Sequence, residues 1–419
     1  MARKDCGPEN LAELYFRKNV GQKVCVTTNG CSENRIDCAK MQKFFTDNGW
    51  SVTADIRQAD LILFNACGLT TVRENDSLAT LQWITEQKRP SAEVIVWGCF
   101  PKINAERLRA IHAGLLFDSD QEERLEEFFE ASVKSQQIEA NFLVAACPNH
   151  QPTANGWHRY LAKIISGLRS PRLFLGKRRW ARASRLVNFL DSEAFPIKVS
   201  TGCLDACAYC GVRLARGRLR SKPIPQVVAE FKDGLARQFS KFTLIGTDLG
   251  AYGRDQGQRL VDLLDTILEL EGDYKIRLPN INPRWLKDML PEMRKLVQSN
   301  KIEVIGSGVQ CGSNRILQLM NRRYRVEDYQ QAVVALKAEC PALHIRTNLI
   351  VGFPGETEGD FDKTLQLVDE VDFTFADIHR YSPRPKTKAA TMPDQVPARV
   401  IEDRFIRLTR HFSRTPGKT

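Results

Sequence analysis

Three cysteines, Cys203, Cys207 and Cys210, stand at C-x3-C-x2-C spacing in the stretch VSTGCLDACAYCGV. They directly follow the apolar run PIKVS (196–200). Thiolates this close together wrap one metal centre. Zinc normally takes four ligands, and no fourth Cys or His lies nearby in the sequence. Three thiolates on a four-iron cluster leave one iron open to a small chelating ligand. A structural zinc site and unrelated core thiols are the competing readings. Three cysteines within eight residues on a strand-end loop favour the cluster.

A second trio is dispersed. Cys31, Cys67 and Cys99 each follow an apolar run, in VCVTTNGC, LILFNAC and VIVWGC. In an open parallel sheet the strand ends meet along one edge, where ligands bind. Three cysteines far apart in sequence therefore converge, again as three thiolates with an open iron. Cysteine is also an ordinary small core residue, and Cys25, Cys38, Cys147 and Cys340 fit that role.

The elements that must position these thiols can be read from apolar periodicity. VCVTT (24–28), LILFN (61–65) and VIVWG (94–98) predict buried strands, with helices over 36–48, 71–88 and 104–112 and a surface helix over 120–130. Such alternation gives a parallel sheet covered on both faces. A second alternation starts at 196. Strands are expected at 196–200, 242–246, 274–278, 302–306, 344–351 and 372–379, and helices at 224–239, 258–271, 284–299, 326–339 and 358–370. Six β/α units suit an open or partial parallel barrel, whose chemistry sits at the C-terminal ends of its strands. The fold class is thus α/β: an N-terminal open, flavodoxin-like parallel sheet plus a partial (β/α)6 barrel. The expected domains are 1–130, a linker and basic helical insertion at 131–195, the barrel at 196–412, and a tail at 413–419.

Composition agrees. Over 419 residues, 42% are apolar and 26% charged, which excludes a disordered chain and a membrane bundle. No apolar run approaches the ~20 residues of a membrane span. The start MARKDCGPEN has no apolar signal core, so a cytoplasmic location is expected. Twelve cysteines without a secretory signal argue for thiolate or metal chemistry rather than disulfides. Nine basic residues and no acid fall in 157–190, leaving only +2 of the net +11 for the rest of the chain. The spacing of Trp157, Tyr160, Leu161, Ile164, Ile165 and Leu168 is helical. A helix capping the main body is favoured there over one lying on a membrane surface.

The 199–212 stretch, including the aromatic Tyr209 before the last cysteine, resembles the signature of the radical S-adenosylmethionine (SAM) superfamily. With both cysteine trios, and with VQCGSNRILQLMNRRY (309–324), LIVGFPGETEGDF (349–361) and YSPRPKTKAATMPDQVP (381–397), the chain resembles the radical SAM methylthiotransferases (MiaB- and RimO-like). The similarity covers about 23–130 and 197–412 and leaves 131–195 unmatched. It implies two [4Fe-4S] clusters. Cys203, Cys207 and Cys210 would hold the one that cleaves SAM to methionine and a 5′-deoxyadenosyl radical. Cys31, Cys67 and Cys99 would hold an auxiliary cluster whose open iron carries the sulfur that one SAM methylates. It implies that SAM is held by Tyr209, by Gly246, Thr247 and Asp248, by Gln310 with Ser313, and by Val351, Gly352 and Phe353. GFPGET (352–357) is also compatible with a plain loop leading into a helix. An electron donor such as flavodoxin or ferredoxin is implied as a partner, and no membrane.

The sequence departs from that family in several places. The family's C-terminal TRAM domain has no counterpart before Thr419. Asn282-Pro283 stands where His-Pro is common, Gly306-Ser307-Gly308-Val309-Gln310-Cys311-Gly312-Ser313 where His-Leu-Pro-Leu-Gln-Ser-Gly-Ser is common, and Asn348 where Asp is common. These departures favour sulfur insertion at an unactivated C–H carbon of a small molecule or peptide. The alternative is a tRNA adenosine methylthiotransferase whose basic 157–190 stretch binds RNA phosphates. A non-catalytic iron–sulfur electron carrier is the third reading. It has no need of the GFPGET and Gln310–Ser313 elements.

Overall fold

The apolar runs of the N-terminal half become the strands that their composition demands. Charge-free, β-branched and aromatic segments suit a sheet covered on both faces. The computed structural model describes residues 22–145, 147 and 194–414. In it the strands are β1 (Lys23–Thr28), β2 (Ser51–Val52), β3 (Leu61–Ala66), β4 (Glu93–Gly98) and β5 (Leu116–Asp118). Their order is β2-β1-β3-β4-β5 and every pair is parallel. This is the flavodoxin-like order, with its switch point between β1 and β3. The register pairs Thr28 with Asn65, Asn65 with Trp97, and Ala66 with Gly98, so the three strand ends lie in one row.

Helices Ser32–Asp47, Thr71–Gln87, Cys99–Arg109 and Glu122–Phe128 connect the strands. One face of the sheet is closed by Phe44, Phe45, Trp50 and Phe129, the other by Leu81, Ile84, Phe100 and Leu108. The helix expected over 104–112 starts five residues earlier, at Cys99. Its backbone breaks at Asn104 (φ −151°, ψ 63°).

The chain divides into two compact units, Met1–Gln151 and Pro152–Thr419. In the second, β6 (Phe195–Lys198) leads to a short antiparallel pair, β7 (Ser200–Thr201) and β8 (Arg220–Ser221). Then come β9 (Lys241–Ile245), β10 (Lys275–Leu278), β11 (Ile302–Gly306), β12 (His344–Val351) and β13 (Phe375–Arg380). The main sheet runs β13-β12-β11-β10-β9-β6, all parallel, so strands joined in sequence by helical connections are neighbours, as in a partial barrel. Along β12, Ile345, Thr347 and Leu349 are buried on one face while His344, Arg346 and Asn348 are half-exposed on the other. The apolar face packs under the helices; the Phe231 ring stacks on Phe242 at 3.8 Å.

The single helix expected over 284–299 is two, Pro283–Asp288 and Leu290–Val297. Pro291 at the start of the second lacks an N–H and cannot continue the first. The C-terminal helix is Ala398–Arg414. The 157–190 basic stretch lies outside the described residues. Among the described residues no helix is long and apolar enough to cross a membrane.

Candidate functional site

In the first unit the three dispersed cysteines do meet. Cys67 directly follows β3. Cys31 caps the helix Ser32–Asp47, and Cys99 is the first residue of Cys99–Arg109. Two of the three thiols thus stand at helix N-termini, where the backbone dipole favours a thiolate. Burial pushes the Cys67 thiol up to about 12, and the nearby Cys31 and Cys99 thiols push it the same way. Three mutually repelling thiolates persist together only around a cation, and an all-thiol, soft donor set selects iron–sulfur or zinc chemistry.

A buried amide network holds the strand ends in place. The Cys31 Sγ donates to Asn34 Oδ1 at 3.1 Å, and Asn34 Nδ2 donates to Asn65 Oδ1. Asn29 Oδ1 accepts the Cys67 N–H at 3.3 Å, while the Ser77 hydroxyl donates to the Cys67 carbonyl at 2.8 Å. Gly98 sits at φ +114°, and a Cβ there would lie 2.4 Å from Asn65 Oδ1. Only glycine fits at the end of β4, next to Cys99.

In the second unit Cys203, Cys207 and Cys210 lie on the loop after β7. Burial and the Asp248 carboxylate raise the Cys203 thiol well above its usual range. Burial and then the Cys207 thiol push Cys210 up to about 11. The loop is held by side chains from three other segments. Arg322 Nη1 donates to Cys207 Sγ at 3.3 Å and its Nη2 to the Gly308 carbonyl at 2.8 Å. Asp205 is paired with Arg284 at 2.6 Å and accepts from Asn282 Nδ2. Asp248 accepts the Trp285 indole N–H at 2.8 Å and the Asn282 N–H at 3.2 Å. Burial pushes its carboxyl up to about 6.

Cys203 Sγ and oxygens of Asp205 and Asp248 lie within 4.8 Å of one another. Both carboxylates already accept hydrogen bonds from the 282–285 segment, so they brace the loop beside the thiols. The thiol-only donor set fits a four-iron cluster better than a mixed site built on these acids.

The residues expected around SAM fall into two groups. Thr247 Oγ1 accepts the Gly202 N–H at 3.1 Å, and Asp248 Oδ2 lies 3.9 Å from Cys203 Sγ, so the Gly246–Asp248 turn abuts the cysteine loop. A Cβ on Gly246 would meet Ser200 Oγ at 2.5 Å. The Tyr209 ring meets Phe353 edge-on at 6.4 Å. Gln310 (φ +70°) donates its N–H to the Asn348 carbonyl at 2.8 Å and accepts from Ile350 at 2.8 Å, which ties it to β12. The second group faces the fold itself. The Val351 carbonyl accepts the Tyr381 N–H at 2.8 Å. Gly352 (φ +78°) donates to Glu356 Oε2 at 2.7 Å, and its missing Cβ makes room for Ile401. Ser313 is fully buried and its hydroxyl donates to Asp360 at 2.6 Å. Arg322, Asp205, Arg284 and Trp285 were not singled out in the sequence, although Arg322 lies inside the matched MNRRY stretch.

Known proteins share this architecture. Residues 23–117 match the model of Uncharacterized protein family UPF0004, and residues 197–368 that of the Radical SAM superfamily. Threonylcarbamoyladenosine tRNA methylthiotransferase MtaB of Thermotoga maritima is 30% identical over 385 residues, covering 91% of this chain and 80% of that protein. The tRNA-2-methylthio-N(6)-dimethylallyladenosine synthase of Acetivibrio thermocellus is 30% identical over 426 residues, covering 97% and 81%. Among solved structures, the radical SAM methyltransferase TsrM of Kitasatospora setae aligns with a TM-score of 0.58 at 13% identity, covering 88% of this chain and 74% of that one. That likeness concerns the fold alone. The two cysteine-bearing units match separate domain models, and relatives of this identity span nearly the whole chain. The chain therefore belongs to the radical SAM methylthiotransferase family.

Proposed function

We propose that this chain is a tRNA methylthiotransferase that uses SAM and two [4Fe-4S] clusters. In this reading Cys203, Cys207 and Cys210 hold one cluster in the barrel, residues 196–412, and Cys31, Cys67 and Cys99 hold the other in residues 1–130. The carrying observation is the meeting of the second trio at one sheet edge, in a chain that already has a complete C-x3-C-x2-C loop. A radical enzyme that only abstracts hydrogen has no need of it. When bound, the clusters supply one-electron cleavage of SAM and the sulfur to be transferred.

The protein's own part is orientation and shielding. Arg322 holds Cys207, Asp248 and Thr247 fix the Cys203 end of the loop, and Tyr209 packs against Phe353. The named relatives act on tRNA adenosines, which supports tRNA over the small molecule or peptide that the strand-end departures favour. Cysteines used as cluster ligands suit the reducing cytoplasm, with a flavodoxin- or ferredoxin-class donor as reductant.

The test is to reconstitute the protein anaerobically and incubate it with SAM, a reductant and tRNA from cells lacking methylthioadenosines. The tRNA is then digested and its nucleosides analysed by mass spectrometry. A new methylthioadenosine supports the reading. Unchanged nucleosides, with 5′-deoxyadenosine still formed, overturn it.

A further inference from the structure

We infer that the rim around the 203–210 loop is a binding surface for the RNA phosphate backbone, an inference that rests on the tRNA reading above. Three segments distant in sequence each bond to this loop. Cys203 donates its N–H to the Gly217 carbonyl at 3.3 Å, Asn321 Nδ2 donates to the Ala206 carbonyl at 2.8 Å, and the Ala389 N–H donates to the Ala208 carbonyl at 2.8 Å. Each segment carries exposed cations within three residues of its anchor: Arg218 and Arg220 on the hairpin, Arg323 after Asn321, and Lys386 and Lys388 before Ala389. None of the five has a carboxylate partner among the described residues.

Some exposed cations of the same unit are paired, whereas Lys232, Lys363, Arg399 and Arg410 have no carboxylate partner among the described residues; what sets the five apart is their place on the segments that bond to the loop. Arg237 pairs with Asp233, Arg294 with Glu339, Arg380 with Glu402 and Arg407 with Glu358. Of the acids nearby, Asp205 is buried against Arg284, and Asp255, which accepts the Ser221 N–H at 2.8 Å, forms no ion pair with any of the five. The anchors run from Cys203 to Ala208, a span of at most roughly 18 Å at extended-chain length. Unpaired charges that converge from three segments onto so short a loop match a strand with one negative charge per nucleotide. Phosphate contacts position a nucleic acid without reading its bases. Here they would lay the strand over the loop that holds the thiols, so that a target base reaches the chemistry.

The test uses the full-length, cluster-loaded protein and a fluorescently labelled tRNA transcript, with anisotropy measured over a range of salt. One variant combines Arg218→Gln, Arg220→Gln, Arg323→Gln, Lys386→Gln and Lys388→Gln. A control variant combines Arg237→Gln, Arg294→Gln, Arg380→Gln and Arg407→Gln. Iron per chain and far-UV circular dichroism establish that each is folded and loaded. A single-stranded phosphate contact contributes about 0.7 to the slope of log affinity against log salt, so losing all five flattens it by about 3.5. The control should keep a slope near that of the wild type.

An unchanged slope in the rim variant overturns the inference, as does equal flattening in the control. Weakened binding of an acidic flavodoxin with tRNA binding intact also overturns it, in favour of a protein partner. If the wild type binds tRNA and methylthiolates it while the rim variant matches it throughout, only the rim assignment falls. If the wild type neither binds nor modifies tRNA, the functional reading falls and the rim with it.

Discussion

Replacing Arg404 by Met should destabilise the barrel unit by about 3–5 kcal/mol at neutral pH, the usual cost of breaking one side of a buried ion pair. Arg404 reaches in from the C-terminal helix. Its side chain is 5% exposed and that of its partner Glu356 is 0% exposed. Nη1 donates to Glu356 Oε2 at 2.8 Å and to the Glu356 carbonyl at 3.1 Å. The same carboxylate oxygen accepts the Gly352 N–H at 2.7 Å. Methionine fills most of the arginine's volume, so the loss is chiefly of charge. It leaves a carboxylate out of water with one amide to hold it. At about 2–4 °C per kcal/mol for a unit of this size, the melting temperature should fall by roughly 6–20 °C.

The pH dependence gives the sharper check. Burial already raises the Glu356 carboxyl above its usual range, with Gly352 and Arg404 opposing that rise. A group whose pKa is higher folded than unfolded favours folding below the unfolded value, and that contribution is lost as pH rises through the folded value. Without Arg404 the folded value climbs further. The deficit of the Met variant should therefore shrink as pH falls from about 8 towards about 5, since carboxyls titrate normally near 4. Glu356→Gln combined with Arg404→Met removes both charges, keeps an acceptor for Gly352, and should recover most of the loss. Thermal unfolding followed by circular dichroism reads all three variants. A single variant that melts with the wild type, or a deficit that ignores pH, would refute the buried-charge argument.

Converting Cys203, Cys207 and Cys210 to Ala should remove about half the iron and abolish 5′-deoxyadenosine formation, while the same change at Cys31, Cys67 and Cys99 should leave SAM cleavage and end sulfur transfer. A full iron complement in either variant contradicts the ligand sets. Arg322→Gln weakens the donor to Cys207 Sγ and removes a cation beside it, so the barrel cluster should become harder to reduce. In a redox titration followed by electron paramagnetic resonance, a tenfold change in the reduced-to-oxidised ratio appears as about 59 mV, and an unmoved potential would show that the contact does not act on the cluster. Gly98→Ala puts a Cβ 2.4 Å from Asn65 Oδ1 at φ +114° and should cost about 1–3 kcal/mol, read as lower thermal stability and lower iron retention in the N-terminal unit.

The strands were legible because their apolar runs are long and charge-free. β12 matches its expected span, 344–351, from end to end, and β1, β3 and β4 differ from theirs by one residue. β2 and β5 were not legible, since two or three residues carry no periodicity. The β7–β8 pair was hidden for the same reason, although it forms one wall of the cysteine loop. Convergence of Cys31, Cys67 and Cys99 followed from strand order alone. The supports around them did not. Asn29, Asn34, Asn65 and Ser77 look like turn and helix residues until register brings them together. The rim cations escaped notice for a different reason. They fall in three separate places, 218–220, 323 and 386–388, whereas 157–190 concentrates nine basic residues in one run.

The departures at strand ends argue less for a changed substrate once their contacts are known. Asn282, where the family commonly has His, accepts the Arg284 N–H at 3.3 Å to cap its helix, with Pro283 following as the favoured first helical residue. It also bonds both Asp205 and Asp248, so its work is on the cysteine loop. Cys311, in place of Ser, is buried with its sulfur 3.5 Å from Thr364 Oγ1. Both substitutions change how the walls are braced. Asn348 differs. Its carbonyl accepts from Gln310, but its side chain stands on the polar face of the sheet, level with Asp377 on β13. A neutral amide there in place of a carboxylate removes one negative charge from the face that carries His344 and Arg346. The substitution that best survives as a mark of substrate choice is therefore Asn348, through the charge it removes beside Asp377.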